Sequence, residues 1–277
     1  MSYRKKHVKG KIHNIKPKKS ILKNKWFWFI ILFLLIIFSA FYFILFYPGF
    51  QVNNIIIYGN QKVSGDDIKN LVSNDINNNI LYVANSKSIF LINNDKINKE
   101  ILNKFSIIEK LVIKRNFPQT LSLNITERKP VGIYCQTDSS CFSIDENGII
   151  FEPASINLDS FSIRQILENN QVFTGEQVVN ENVINAISKI QKMLKDNFKI
   201  DLKTALIASS LRLNIMTNTN WQIYFDLSPD SNINSQIIKL NLLLKSGISQ
   251  ENIKNLRYID LRPKDRAIVC DNQECGG

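Results

Sequence analysis

Apolar side chains follow three different rhythms along this chain. Between Lys25 and Pro48 they are continuous: "WFWFIILFLLIIFSAFYFILFY" is 22 residues without a charge, about 33 Å long as a helix and so matched to a hydrocarbon core. Sixteen of these residues are Ile, Leu or Phe, which makes insertion into a bilayer favourable by about 5–10 kcal/mol. Trp26, Trp28, Tyr42 and Tyr47 stand towards its ends, where amphipathic rings prefer to lie. A cleaved signal peptide has a shorter apolar core ending in a small-x-small site; here bulky aromatics follow Ser39 and Ala40, so an uncleaved transmembrane helix over 26–47 is expected.

Beyond Pro48 the rhythm alternates between periods of two and of about four. Phe50, Val52, Ile55 and Ile57 predict a strand stopped at Gly59 and Asn60. Ser64 and Asp67 form a capping box ahead of Ile68, Leu71 and Val72, and Ile97, Ile101 and Phe105 mark a second helix. "LVIKRNFP" then turns at Pro118 into "TLSLNITER", where Leu121, Leu123 and Ile125 alternate with polar residues. The predicted order over 48–128 is β-α-α-β-β. In 129–277, Val183, Ile187, Ile190 and Leu194 define one helix face, and Ile233, Ile237, Leu240 and Leu244 another. "LRLNIMT" and "WQIYFDL" read as a hairpin through Asn218 and Asn220. The fold class is α+β: a single transmembrane helix, a β-α-α-β-β module, and a β-sheet domain with packed helices.

Charge gives this order a direction. The formal charge is +11, yet ten Lys or Arg lie in residues 1–25 with no acid before Asp66, leaving 25 basic against 24 acidic residues downstream. By the positive-inside rule this basic tail stays cytoplasmic and everything after Pro48 is exported. A lysine-rich tail also attracts lipid or nucleic acid, but it lacks aromatic stacking positions, so a topology signal and tether is expected.

The candidate chemistry is sparse. Both histidines, His7 and His13, lie in the tail, so no Ser-His or Cys-His pair can assemble outside. "GNQKVSG" lacks phosphate-loop and dinucleotide spacing; no cofactor, nucleic acid or small-molecule substrate is expected. A hydrolase built on carboxylates alone would need a pair in a cleft, and Asp145, Glu146 and Asp260 give no sequence reason to pair. Cys135, Cys141, Cys270 and Cys275 all follow the span. An oxidising compartment favours disulfides, expected as Cys135–Cys141 across the "QTDSS" turn and Cys270–Cys275. Four thiolates on zinc is the alternative, although spacings of six and five differ from C-x2-C.

"LRYIDLRPKDRAIV", 256–269, reads as strand, turn and strand. Ile259 and Leu261 point to one face, Tyr258, Asp260 and Arg262 to the other. Pro263 suits an edge or bend, and Lys264, Asp265 and Arg266 discourage indiscriminate pairing. Tyr258, Ile259, Asp260, Leu261, Arg262, Ala267, Ile268 and Val269 are therefore expected to form a guarded edge that a partner strand extends by β-augmentation. The plainer alternative is that the stretch merely closes the sheet.

The run Phe50, Val52, Ile57, Gly59, Asn60, Arg115, Pro118, Thr120, Leu121, Glu127, Arg128 and Pro130 resembles the POTRA domain of the FtsQ/DivIB bacterial cell-division proteins. "FSIDENGIIFEP" is similar to that family's Asp-x-x-Gly hairpin and "YIDLRPKDRAIV" to its closing Asp-Leu-Arg strand. Pro229 after the Trp strand and Pro263 after Asp-Leu-Arg depart from the pattern. The resemblance implies a tail (1–25), a transmembrane helix (26–47), a POTRA domain (48–128) and a β domain (129–277). It also implies a non-enzymatic scaffold of the divisome, single-pass in the inner membrane at the septum, with most of the chain periplasmic. Its partners would be FtsB/FtsL-type proteins at the β domain and further divisome proteins at the POTRA face and membrane segment. The alternative class is a POTRA-bearing assembly or transport factor for outer-membrane proteins, although no series of amphipathic barrel strands occurs in these residues.

Overall fold

The computed structural model describes residues 24–78, 87–137, 139–155, 161–166, 171–248, 250–271 and 275–276. The basic tail up to residue 23, with His7 and His13, lies outside the described residues. Helix α1, Lys25–Phe46, starts at Asn24, whose side chain accepts from the Trp26 amide at 3.1 Å. It stops one residue short of the expected end. Tyr47 is extended (φ −65°, ψ 123°) because a following proline disfavours helical backbone. Its side chains are exposed almost throughout, as a lipid-facing helix requires, and only Leu45 is buried.

The first module runs β1 (Asn54–Tyr58), α2 (Gly65–Asn78), α3 (Asn94–Lys104), β2 (Ile108–Asn116) and β3 (Thr120–Glu127). The sheet order is β1-β3-β2, with β2 and β3 a hairpin and β1 parallel to β3. The helical excursion supplies the crossover that parallel pairing needs. Ile68, Val72, Ile97, Ile101, Leu121 and Leu123 form its core. Phe50 and Val52 precede β1 rather than belonging to it: Pro48–Phe50 is a 3-10 turn, and Val52 is buried by the chain entering the module. The polar side of β3 is not wholly exposed either. Ser122 is buried in this central strand, where its hydroxyl accepts from Asn116 Nδ2 at 2.7 Å.

After α2 is capped by Ser64, whose Oγ accepts from the Asp67 amide at 3.4 Å, the preceding turn is closed from a distance. Glu127 accepts from the amides of Gln61, Lys62 and Val63 at 2.8–3.0 Å. Burial pushes its carboxyl up, but the three amides and the Lys62 charge outweigh that and hold it below the ordinary range.

The second domain comprises β4 (Gly132–Cys135), β5 (Cys141–Ile144), β6 (Ile150–Pro153), β7 (Ser162–Gln165), α4 (Glu181–Phe198), β8 (Leu202–Ser209), β9 (Arg212–Thr217), β10 (Gln222–Asp226), α5 (Ile233–Leu242), β11 (Leu256–Asp260), β12 (Ile268–Asp271) and β13 (Cys275–Gly276). Its sheet runs β13-β12-β11-β10-β9-β8-β7-β4-β5-β6. Trp221, Phe225 and Tyr134 are its largest buried side chains, packed with Ile187, Ile190 and Leu194 of α4 and Leu240 of α5. Leu244 completes the α5 face from a wider turn, Leu243–Gly247.

The two domains meet at the β5–β6 hairpin. Asp145 opens its turn, accepting from the Asn147 and Ile149 amides at 3.0 and 2.8 Å. Gly148 completes it at φ +77°, where a Cβ would lie 1.9 Å from the Val179 carbonyl oxygen. Arg128, leaving β3, places Nη1 2.5 Å from Asp145 Oδ2 and donates from Nε to the Ser106 carbonyl at 3.0 Å. Ser106 Oγ donates to the Phe151 carbonyl at 3.1 Å, and Lys62 pairs with Glu152 at 2.7 Å. Ile150 also bonds through its backbone to Gly175 and Glu176, so the β6 margin of the sheet is paired at its first residue.

Candidate partner-binding face

The opposite margin holds the residues singled out in the sequence. β11 does not lie at the edge: it pairs in parallel with β10 (Tyr258 opposite Gln222, Asp260 opposite Tyr224) and antiparallel with β12. Tyr258, Ile259 and Asp260 are therefore flanked on both sides, and the expectation that they form a free edge is corrected. The cause is the chain reversal through 261–267, which puts Pro263 in a connection and lays β12 outside β11. Ala267, Ile268 and Val269 lie at the outer margin. There, among the described residues, β13 opposes Val269 and Cys270 of β12.

Lys239 of α5 holds this reversal. Its ammonium donates to the carbonyls of Pro263, Lys264 and Arg266 at 2.9, 3.0 and 3.2 Å. Three carbonyls around one cation fix a loop that has no ladder of its own. Periodicity gave no hint of this contact, because the four residues share no secondary element.

Ile259 and Leu261 reach the core as expected, whereas Asp260 departs from the simple polar-out reading and is buried. Arg262 makes that possible. Its Nε and Nη2 meet the two carboxylate oxygens at 2.8 and 2.6 Å, and its own amide donates to Oδ1 at 3.0 Å. Burial pushes the Asp260 carboxyl up. The Arg262 hydrogen bonds and the charges of Arg262 and Arg212 outweigh it and hold the group below the ordinary carboxylate range. The hydrogen bonds that Arg262 donates to Asp260, partly opposed by burial, raise its guanidinium above the ordinary value.

The β9–β10–β11 register gathers an aromatic and cationic cluster on the same face. The Arg212 and Arg262 guanidinium carbons lie 5.1 and 5.5 Å from the Tyr224 ring centroid, within cation–π range. Tyr258 stands 5.5 Å from Tyr224. Tyr224 donates its hydroxyl to Gln222 at 2.7 Å, and Arg212 donates to Asn214 at 2.9 Å. Sequence reading named Tyr258 and Arg262 but missed Arg212 and Tyr224. Their alternation with Leu213 and Phe225 was a usable signal only once the register was known. Half-buried tyrosines stiffened by arginines are the side chains that most often anchor protein partners.

Cys135 and Cys141 stand opposite one another across β4 and β5 and are bridged, and Cys270 is bridged to Cys275 across β12 and β13. All four sulfurs are thus placed in these two bridges. Asp145 and Asp260 are each committed to an arginine, and Glu146 is exposed on the hairpin turn. A cleft of about 1100 Å³ opens elsewhere, between the amino-terminal ends of α4 and α5, lined by asparagines and serines together with apolar residues such as Val178, Val183, Leu227 and Ile233.

Two family models match the chain: "POTRA domain, FtsQ-type" over residues 50–128 and "Cell division protein FtsQ/DivIB, C-terminal" over 133–262. The cell division protein FtsQ of Rickettsia bellii is 31% identical over 100 residues, covering 36% of this chain and 33% of that protein. FtsQ of Rickettsia prowazekii is 32% identical over 100 residues, covering 36% of this chain and 33% of that protein. The matches thus take in about a third of the Rickettsia proteins. The cell division protein DivIB of Clostridium botulinum is 25% identical over 190 residues, 66% of this chain and 67% of that protein.

Proposed function

We infer, from the premise that this chain belongs to the FtsQ/DivIB family of cell-division proteins, that it is a non-enzymatic scaffold anchored in the membrane by α1. Its tail lies in the cytoplasm and its two folded domains outside, at the division septum. The β12 margin receives an extended segment of a small bitopic partner of the FtsB/FtsL kind. The POTRA domain and span contact further division proteins.

The observation that carries this reading is that, among the described residues, β13 leaves Ala267 and Ile268 unopposed at the margin beside the Tyr224, Tyr258, Arg212 and Arg262 cluster. Backbone groups at Ala267 and Ile268, ahead of the β13 pairing at Val269, supply affinity in the manner of strand addition, and the tyrosine–arginine face supplies selection. Asp145 and Asp260 have structural roles in this account, each balancing a guanidinium.

The test is a proline scan at Ala267, Ile268 and Val269 in the full chain, reading partner binding and thermal unfolding together. A proline at an outward amide is expected to abolish binding with the melting temperature unchanged, whereas one facing β11 lowers both. If every folded proline variant binds as the unsubstituted chain does, the strand-addition reading is wrong.

A further inference from the structure

The apolar end of α1 does not hand over to the POTRA domain through a free linker. Helix termini leave carbonyls without intrahelical partners, and here the domain fills two of them. Ser88 Oγ donates to the Ile44 carbonyl at 3.0 Å and Gln51 Nε2 to that of Leu45 at 2.8 Å. On the other side, Gln119 Nε2 reaches the Pro48 carbonyl at 3.4 Å. These bonds set depth. The segment carrying Ser88 is level with the last turn of the apolar helix, and the β2–β3 turn is level with the second residue after it.

Both segments expose phenylalanine there. Phe90 is 42% and Phe117 59% exposed. A chain of ring contacts leads to them from the helix: Phe43–Tyr47 at 4.4 Å, Tyr47–Phe50 at 5.6 Å, Phe50–Phe90 at 5.3 Å and Phe90–Phe117 at 5.2 Å. Arg115 locks the two segments together by donating to the Ile92 carbonyl at 2.6 Å. Residues 87–94 and 112–119 contain Lys87, Lys114 and Arg115 and no carboxylate; Asp95 follows in the first turn of α3. Rings backed by cations and free of acids are the composition that settles at a bilayer surface.

We propose that the tip formed by Phe50, Phe90 and Phe117 is a second membrane contact, seated between headgroups and acyl chains of the leaflet from which α1 emerges. It rests on the reading of α1 as a membrane span. Together with the bonds to Ile44 and Leu45, it fixes the tilt of the POTRA domain against the membrane, so the domain does not swing on its anchor. The occupant is lipid because the aromatic surface is continuous with the span and lies at the depth where the span leaves the hydrocarbon.

The test places tryptophan at Phe117, or at Phe90, in the full-length chain with Trp26→Phe and Trp28→Phe, reconstituted in phosphatidylcholine–phosphatidylglycerol vesicles. Trp221, fully buried, is a constant background, and Phe173→Trp in the second domain is the solvent-exposed control. Lipid brominated near the headgroup end of its acyl chains is expected to quench the tryptophan at 117 or 90 about twofold or more beyond the control, as an interfacial depth requires. Two positions are used so that a variant with altered unfolding is replaced by the other.

Quenching equal to the Phe173→Trp control overturns the contact. So does burial of the tip in native membranes without quenching in pure lipid, which gives the surface to a protein partner instead. In the unsubstituted chain, Trp26 and Trp28 report on the span itself. If brominated lipid leaves them unquenched, the anchor reading fails; if it quenches them while the tip matches the control, only this inference fails.

Discussion

At one margin of the long sheet, β6 meets the POTRA domain through Ser106, Lys62 and the Arg128–Asp145 pair and is bonded along Ile150 to Gly175 and Glu176. At the other, among the described residues, the two-residue β13 opposes Val269 and Cys270 of β12, and a lysine holds the loop behind it. An open strand margin is an invitation to association, which proteins normally suppress. Here one margin is spent on the chain's own architecture. The other is stiffened by a disulfide and an ammonium, and among the described residues β13 opposes Val269 and Cys270 but not Ala267 and Ile268, the stretch that the strand-addition proposal needs.

That contrast is broken most severely at the covered margin. Removing the Arg128 guanidinium leaves the buried Asp145 carboxylate without its cation, a loss of about 3–5 kcal/mol for a buried pair. Denaturant unfolding of Arg128→Ala should show it, with partner affinity unchanged while the protein stays folded. A loss below about 1 kcal/mol would mean that water or a shifted neighbour compensates, and that the joint is looser than its bonds suggest.

Lys239→Met sharpens the comparison from the other side. Its carbonyl contacts lie partly in solvent, so global stability should fall by only about 0.5–1.5 kcal/mol. Partner affinity is expected to drop further, by about tenfold, as the 263–266 loop and β12 lose their support. Calorimetric titration against the partner segment checks this. Equal and small effects on folding and binding would remove the loop from the docking account.

Acid gives the smallest effect. The folded Asp260 carboxyl titrates below its unfolded value, so it stabilises the fold above about pH 4 and that contribution fades as pH falls through the folded value. Glu127 behaves in the same sense. Stability should therefore decline on acidification below about pH 4, and Asp260→Asn should lower stability at neutral pH while flattening that acid limb. An unchanged limb in thermal scans from neutral to acid pH would show that the Arg262 bonds persist with a protonated partner.

Much of this molecule was written locally. An uninterrupted apolar run has one low-energy solution in lipid, and α1 follows from it to within a residue; a proline decides its end. Ile97 and Ile101 on α3, Leu121 and Leu123 on β3, and the Asn218–Asn220 turn likewise report burial through spacing, because a side chain's direction repeats over two or four residues in any setting. What required the folded molecule were the relations between elements far apart in sequence. Tyr258 alternates in the same way whether its strand is central or marginal, since period two carries no information about neighbours; only the return of β12 placed β11 inside. The capture of Asp260 by Arg262, the gathering of Arg212 and Tyr224 beside Tyr258, the closure of the 263–266 loop by Lys239, and the seating of Ser88 and Gln51 on the end of α1 all depend on registers and crossovers. Those are set by packing summed over the whole core, and no window of residues contains that sum.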